Sequence, residues 1–156
     1  MGPGREVRLR YAYYIKFVSM TKNDDGTIRE IHCTYDPESR GGSTPDGRKV
    51  KGTIHWVSAE QAVTFPVRLY DRLFSHENPD ADKEVDFRQH LNPNSMQTIE
   101  GCKGEPALAG LEPGRQVQFE RTGYFCPDTV EAQKGRLVFN RIVTLRDSWA
   151  KEQNKG

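Results

Sequence analysis

Apolar residues recur along most of this chain with a period of two. From Val7 they occupy every odd position to Phe17 (Val7, Leu9, Tyr11, Tyr13, Ile15, Phe17), with Glu6, Arg8, Arg10, Ala12 and Lys16 among the residues between them. Strict alternation over that length predicts one long half-buried strand, because successive strand side chains point to opposite faces. Asn23-Asp24-Asp25-Gly26 predicts a turn in which glycine supplies the positive φ, and a return strand follows over 27–35. Residues 36–47 form a polar Pro/Gly/Ser loop. A strand is expected at 49–58, with Val50, Ile54 and Trp56 on one face, and then a short helical turn beginning at Ser58.

Residues 65–74 read as a strand with Pro66 near its start, where a missing N–H is tolerated. The acidic, proline-broken stretch 75–95 carries a weak helical pattern at 82–90 and is the best candidate for a boundary between lobes. A short strand at 96–100 and a Gly/Pro-rich connection at 102–114 precede two further strands, 116–125 and 136–145, joined by a turn. Many short strands, frequent turns and hardly any helix define a mainly β fold of antiparallel barrels or a sandwich, with no internal repeat.

Composition changes this picture little. The 156 residues suffice for one domain or two small lobes, and the net charge of +1 is unremarkable. Its distribution is more informative: residues 1–22 carry net +4, residues 115–149 net +2, and residues 77–90 net −3. A polyanion would favour the two basic ends, although solvated strand faces produce the same pattern. Cys33, Cys102 and Cys126 are odd in number and lack metal-ligand spacing, so free thiols in a reducing, cytoplasmic compartment are expected. The sequence shows no membrane-spanning apolar run and no signal peptide. Met1 to Gly4 reads as a start codon joined to a cut point, or as a linker.

Catalytic signatures are missing: there is no phosphate loop, nucleophile elbow, HExxH or zinc-type cluster, and the four histidines are scattered. Binding chemistry is better represented. Arg8 and Arg10, two apart on one strand, would project from the same face about 7 Å apart, close to the spacing of neighbouring single-strand phosphates. Unpaired bases need planar groups for stacking and polar groups for their edges. Tyr11, Tyr13, Tyr14, Tyr124 and Phe125 lie near the basic residues, and Gln118 carries a donor and an acceptor on one amide. Pattern alone leaves RNA binding and a plain β-barrel with solvated basic edges both open.

The stretches EVRLRYAYYIK, IHCTYDP, DGRKVKGTIHWVS, VRLYDRLF, QFERTGYFCPD and VFNRIVTLRDSW resemble, in order and spacing, the C-terminal region of glutaminyl-tRNA synthetases over about residues 4–150. The resemblance implies two successive β-barrels. One is a distal barrel similar to a 5S rRNA-binding ribosomal protein (5–92), and the other is the returning half of a proximal barrel (93–150), followed by a disordered tail at 151–156. It also implies an open edge on the proximal lobe, able to pair with another chain.

Carried over by position, Arg8 and Arg10 match arginines at the first anticodon base and its phosphates. Gln118 matches a glutamine reading the middle base, and Arg121 an arginine of the same pocket. Arg146 matches a basic residue near the tRNA backbone. Gln118 and Arg121 have opposite strand parity, so a shared pocket requires a bulge or a strand end between them, which Gly123 would permit.

The implied partner is the anticodon loop of glutamine tRNA, with no DNA and no membrane. The implied setting is a monomeric parent whose catalytic domain, absent from this chain, uses ATP and Mg²⁺ to join glutamine to that tRNA. This chain itself would hold no cofactor, no metal and no catalytic residue. The alternatives are the archaeal or eukaryotic glutamyl-type relative, a free-standing 5S rRNA-binding protein, and a small-ligand barrel enzyme.

Overall fold

The computed structural model describes residues 2–145. Arg146, expected near the tRNA backbone, and the tail expected at 151–156 lie outside them. The described chain is mainly β and divides between Trp56 and Val57 into two compact units.

The first unit is a four-stranded sheet of order β3-β2-β1-β4, built from β1 (Glu6–Leu9), β2 (Tyr14–Lys22), β3 (Ile28–Asp36) and β4 (Thr53–Ile54). The long strand expected from Val7 to Phe17 is instead a hairpin: β1 and β2 pair antiparallel, with Val7 opposite Ile15 and Arg8 opposite Tyr14. The Leu9 N–H donates to the Tyr13 carbonyl (2.9 Å) and the Ala12 N–H to that of Leu9 (3.0 Å), closing a turn in which Tyr11 adopts φ +60°. Periodicity could not show the reversal, because this register sets odd residues opposite odd ones. The apolar set therefore stays on one face through the turn.

The expected turn at 23–26 closes the β2–β3 ribbon, with Gly26 at φ +83°. The strand expected over 49–58 shrinks to β4, parallel to β1. The 36–47 loop is tied down from within. Ser39 is wholly buried, and its hydroxyl donates to the Asp36 carbonyl (2.6 Å) while accepting from the N–H of buried Tyr14 (2.7 Å).

The second unit is a five-stranded sheet of order β6-β5-β9-β8-β7. Its strands are β5 (Val63–Tyr70), β6 (Met96–Gly104), β7 (Val117–Phe119), β8 (Gly123–Pro127) and β9 (Phe139–Thr144), and a short helix α1 (Thr129–Gln133) lies between the last two. Pro66 sits where the β5–β6 register shifts between Phe65 and Val67, so its missing N–H falls at a break in the ladder. The core is Phe65, Val67, Phe125 and Phe139, with Phe119 stacked on Phe125 at 4.4 Å between ring centroids.

Three expectations change here. The lobe boundary near 92/93 moves to 56/57, because β5 hydrogen-bonds with β6 and β9 and so joins the later strands. The strand at 116–125 is the β7–β8 hairpin, again with a parity-preserving register of Val117 opposite Phe125 and Gln118 opposite Tyr124. The sheets are also not purely antiparallel, since β1–β4 and β5–β9 run parallel. In strand order both sheets are open, with β3 and β4 at the edges of one and β6 and β7 at those of the other.

Candidate nucleic-acid interface

Among the described residues, Tyr11 and Arg121 are the non-glycine residues with positive φ, at +60° and +64°. Each occupies the turn of a tight hairpin that bears residues singled out for RNA contact. A left-handed conformation costs an L-residue roughly 1–2 kcal/mol, so the surrounding structure must impose it.

At the β1–β2 turn, Arg8 and Arg10 do not share a strand face as expected, because the chain leaves β1 after Leu9. Arg8 turns inward: its Nε donates to Thr53 Oγ1 (3.2 Å) and its Nη1 to the Gly42 carbonyl (3.3 Å). Gly42, at φ +91°, leaves room for this side chain, since a Cβ there would lie 2.6 Å from Arg8 Cδ. The same Gly42 carbonyl accepts from the Tyr14 hydroxyl (2.9 Å). Arg8 thus braces the 36–47 loop against β4. Arg10 sits at the corner, its guanidinium 4.8 Å from the centroid of the Tyr11 ring, and that tyrosine is 77% exposed. The Arg10 carbonyl accepts from Trp56 Nε1 (3.0 Å), which seats a second half-exposed ring beside the turn.

Arg48, which sequence reasoning missed, secures this unit. Its guanidinium pairs with Glu6 (3.1 Å), Asp46 (2.8 Å) and Asp36, and lies over the Tyr14 ring. The nearby Thr44 hydroxyl first, and then Arg48, hold the Asp46 carboxyl down at about 2. Only the loop's closure brings these three acids to one arginine; the spacing of positions 6, 36, 46 and 48 carries no signal of it.

At the β7–β8 turn, the Thr122 N–H donates to the Phe119 carbonyl (2.9 Å) and Arg121 projects from the corner. The strand end anticipated between Gln118 and Arg121 is this turn. The positive φ falls on Arg121 itself, while Gly123 serves close packing: a Cβ there would lie 2.7 Å from the Val143 carbonyl oxygen. Gln118 is exposed on β7, and its amide bonds to no other described residue. Tyr124 stands opposite it on β8, and Val143 stands opposite Tyr124 on β9. The five rings proposed for stacking now separate. Tyr14 and Phe125 are buried and Tyr13 packs edge-on against Tyr35, which leaves Tyr11 and Tyr124 facing solvent.

A polar cross-link ties α1 and the end of β8 to β9 and β5. Asp128 caps α1 through the N–H groups of Val130 (2.9 Å) and Glu131 (2.8 Å), accepts from Asn140 Nδ2 (2.8 Å) and pairs with Arg68 (3.2 Å). Those contacts, led by the Glu131 N–H, hold its carboxyl below the usual range. Glu131 is buried against Arg136 (2.7 Å) and Arg68 (3.2 Å) and is likewise held low, chiefly by Arg136. No cluster of three metal-ligating side chains occurs among the described residues, and no described helix is long and apolar enough to cross a membrane.

Exposed arginine, tyrosine and an unengaged amide at the two hairpin turns are the side-chain chemistry that sheet-based readers of single-stranded nucleic acid use. Family models described as the anticodon-binding domain of class I (E and Q) tRNA synthetases match residues 1–36 and 53–128. The chain belongs to that family, the anticodon-binding domains of the class I glutamyl- and glutaminyl-tRNA synthetases. It is 56% identical over 151 residues to the glutamine–tRNA ligase of Nitrobacter winogradskyi, a match covering 97% of the chain and 26% of that relative. The corresponding enzyme of Pseudomonas putida is 53% identical over 148 residues (94% and 26%), and that of Vibrio parahaemolyticus 51% over 152 residues (97% and 27%). The chain thus spans about a quarter of the length of the relatives it matches.

Proposed function

We propose that this chain reads the anticodon loop of glutamine tRNA on behalf of a glutamine–tRNA ligase. Ligation itself, with its ATP and Mg²⁺, is carried by a catalytic domain of the same, monomeric, cytoplasmic parent. The observation that carries the reading is the position of Gln118: an exposed amide with no bond to another described residue, beside the strained turn at Arg121. Folding gains nothing from that amide. Its adjacent donor and acceptor match the O4 and N3–H edge of uracil, the middle anticodon base for both glutamine codons. The high identity to glutamine–tRNA ligases over nearly the whole chain supports the glutamine-specific form.

In this reading the anticodon bases are unstacked and splayed, phosphate contacts position the strand and base-edge contacts discriminate. Arg10 meets the first base or its phosphate at the β1–β2 turn. Arg8 holds the frame that presents it, and Arg121 works beside Gln118. Arg146 supplies a further backbone contact.

Binding of glutamine-tRNA anticodon stem-loops, compared with loops changed at the middle base, tests the assignment. Gln118→Ala is expected to lose discrimination at that base at a cost of ~1–3 kcal/mol. Arg10→Ala is expected to weaken all loops alike and to flatten the log–log salt slope by up to about 0.7. Unchanged affinity and discrimination in both variants would refute it.

A further inference from the structure

We infer that Tyr124 is a further binding residue of the same site: the platform on which the unpaired pyrimidine read by Gln118 stacks. The inference rests on the proposed anticodon reading and adds the planar partner that reading lacks.

Three observations carry it. First, Tyr124 is 41% exposed, and its ring meets no other ring or cation among the described residues, whereas one face of Tyr11 is already occupied by Arg10. Second, Gln118 and Tyr124 are directly opposed across the β7–β8 pair. Their side chains therefore rise from one face with Cβ atoms about 4.5–5.5 Å apart. A base lying flat on Tyr124 would then present its hydrogen-bonding edge towards the Gln118 amide. Third, Val143, 53% exposed, is opposed to Tyr124 on the other side and forms an apolar shoulder that shields one flank of a stacked ring from water. The row of amide, phenol and valine is anchored from beneath. Gly123 and Phe125 are buried on the inner face, and Gly123 packs against the Val143 backbone. Each base stacked on an aromatic ring commonly gains several-fold or more in affinity, whatever its sequence.

The test is a double-mutant cycle on the complete chain. Wild type, Tyr124→Ala, Tyr124→Phe and Gln118→Ala are titrated with the anticodon stem-loop, with loops changed at the middle base, and with a loop abasic at that position. Tyr124→Ala is expected to weaken binding of the intact loop about 5- to 100-fold, Tyr124→Phe to retain most of it, and the abasic loop to bind wild type and Tyr124→Ala alike. Equal weakening of intact and abasic loops would overturn the stacking role, as would no effect on the intact loop. So would a change in self-association with RNA binding untouched, which would make the patch a protein contact. Loss of the Tyr124 effect on the abasic loop, with Gln118→Ala leaving middle-base preference intact, would keep the platform and remove Gln118 as reader. The reverse pattern would keep Gln118 and remove the platform. No binding by wild type would overturn both.

Discussion

Ser39 offers the sharpest check on how the first unit holds its β1–β2 turn. The side chain is fully buried and its hydroxyl is used twice, accepting from the Tyr14 N–H at 2.7 Å and donating to the Asp36 carbonyl at 2.6 Å. Ser39→Ala removes both bonds with almost no change in volume. What remains is the Tyr14 N–H in a place where only 5% of that residue meets water. A buried donor left unsatisfied costs about 1–3 kcal/mol, so about 2 kcal/mol is the expected loss. In a unit of this size that is a fall of roughly 8–16 °C in its melting temperature.

Hydrogen exchange read by mass spectrometry resolves the effect by segment. Amides of β1–β3 that exchange only by opening of this unit should lose roughly 30-fold in protection, the equivalent of about 2 kcal/mol, while β5 and β6 keep theirs. Tyr14→Phe, which drops only the bond to the Gly42 carbonyl, serves as the milder comparison at about 1 kcal/mol. Less than a threefold change in β1–β3 after Ser39→Ala would refute the account, and so would an equal loss across both units.

Two further outcomes follow from the second unit. Asp128 and Glu131 titrate below their ordinary values of 3.8 and 4.5 in the folded chain, so their stabilisation is complete above the unfolded values and drains away as pH falls through the folded ones. Thermal melts from pH 6 downward should show this unit weakening below about pH 4, and Glu131→Gln should flatten that decline; an unaltered profile would exclude the cross-link as its source. Gly123→Ala places a methyl group against the Val143 carbonyl oxygen, where backbone must move. A loss of about 1–3 kcal/mol is expected in denaturant titrations, together with weaker RNA binding at Gln118, and a neutral substitution would show that the hairpin has slack.

Much of the fold was legible in the residue order. Alternation over 7–17 put Val7 and Ile15 on one face, although Tyr11 is exposed and the even-numbered Tyr14 is buried, and Asn23–Gly26 carried its own turn chemistry. The family resemblance, resting on long ordered motifs, also held over most of the chain. What alternation hid was where the strands end. Both tight hairpins use registers that pair odd with odd and even with even, so the two-residue period runs through a reversal unbroken. Their turns lack the usual glycine or Asn-Gly signal, because the left-handed positions fall on Tyr11 and Arg121, conformations enforced by surrounding bonds rather than by local preference.

For the candidate site, sequence named the candidate chemistry and tertiary structure placed the side chains. Arg8 and Arg10 look equivalent as a pair two residues apart. Only the closing of the 36–47 loop engages Arg8 with Gly42 and Thr53, while the corner presents Arg10 on Tyr11. Five aromatic rings were equal candidates until packing buried Tyr14 and Phe125 and left Tyr124 beside Gln118. Residue types set which interactions this protein can make, because donors, acceptors and planar groups are properties of single side chains. Which of them remain for a partner depends on what long-range packing consumes, and no local pattern reports that.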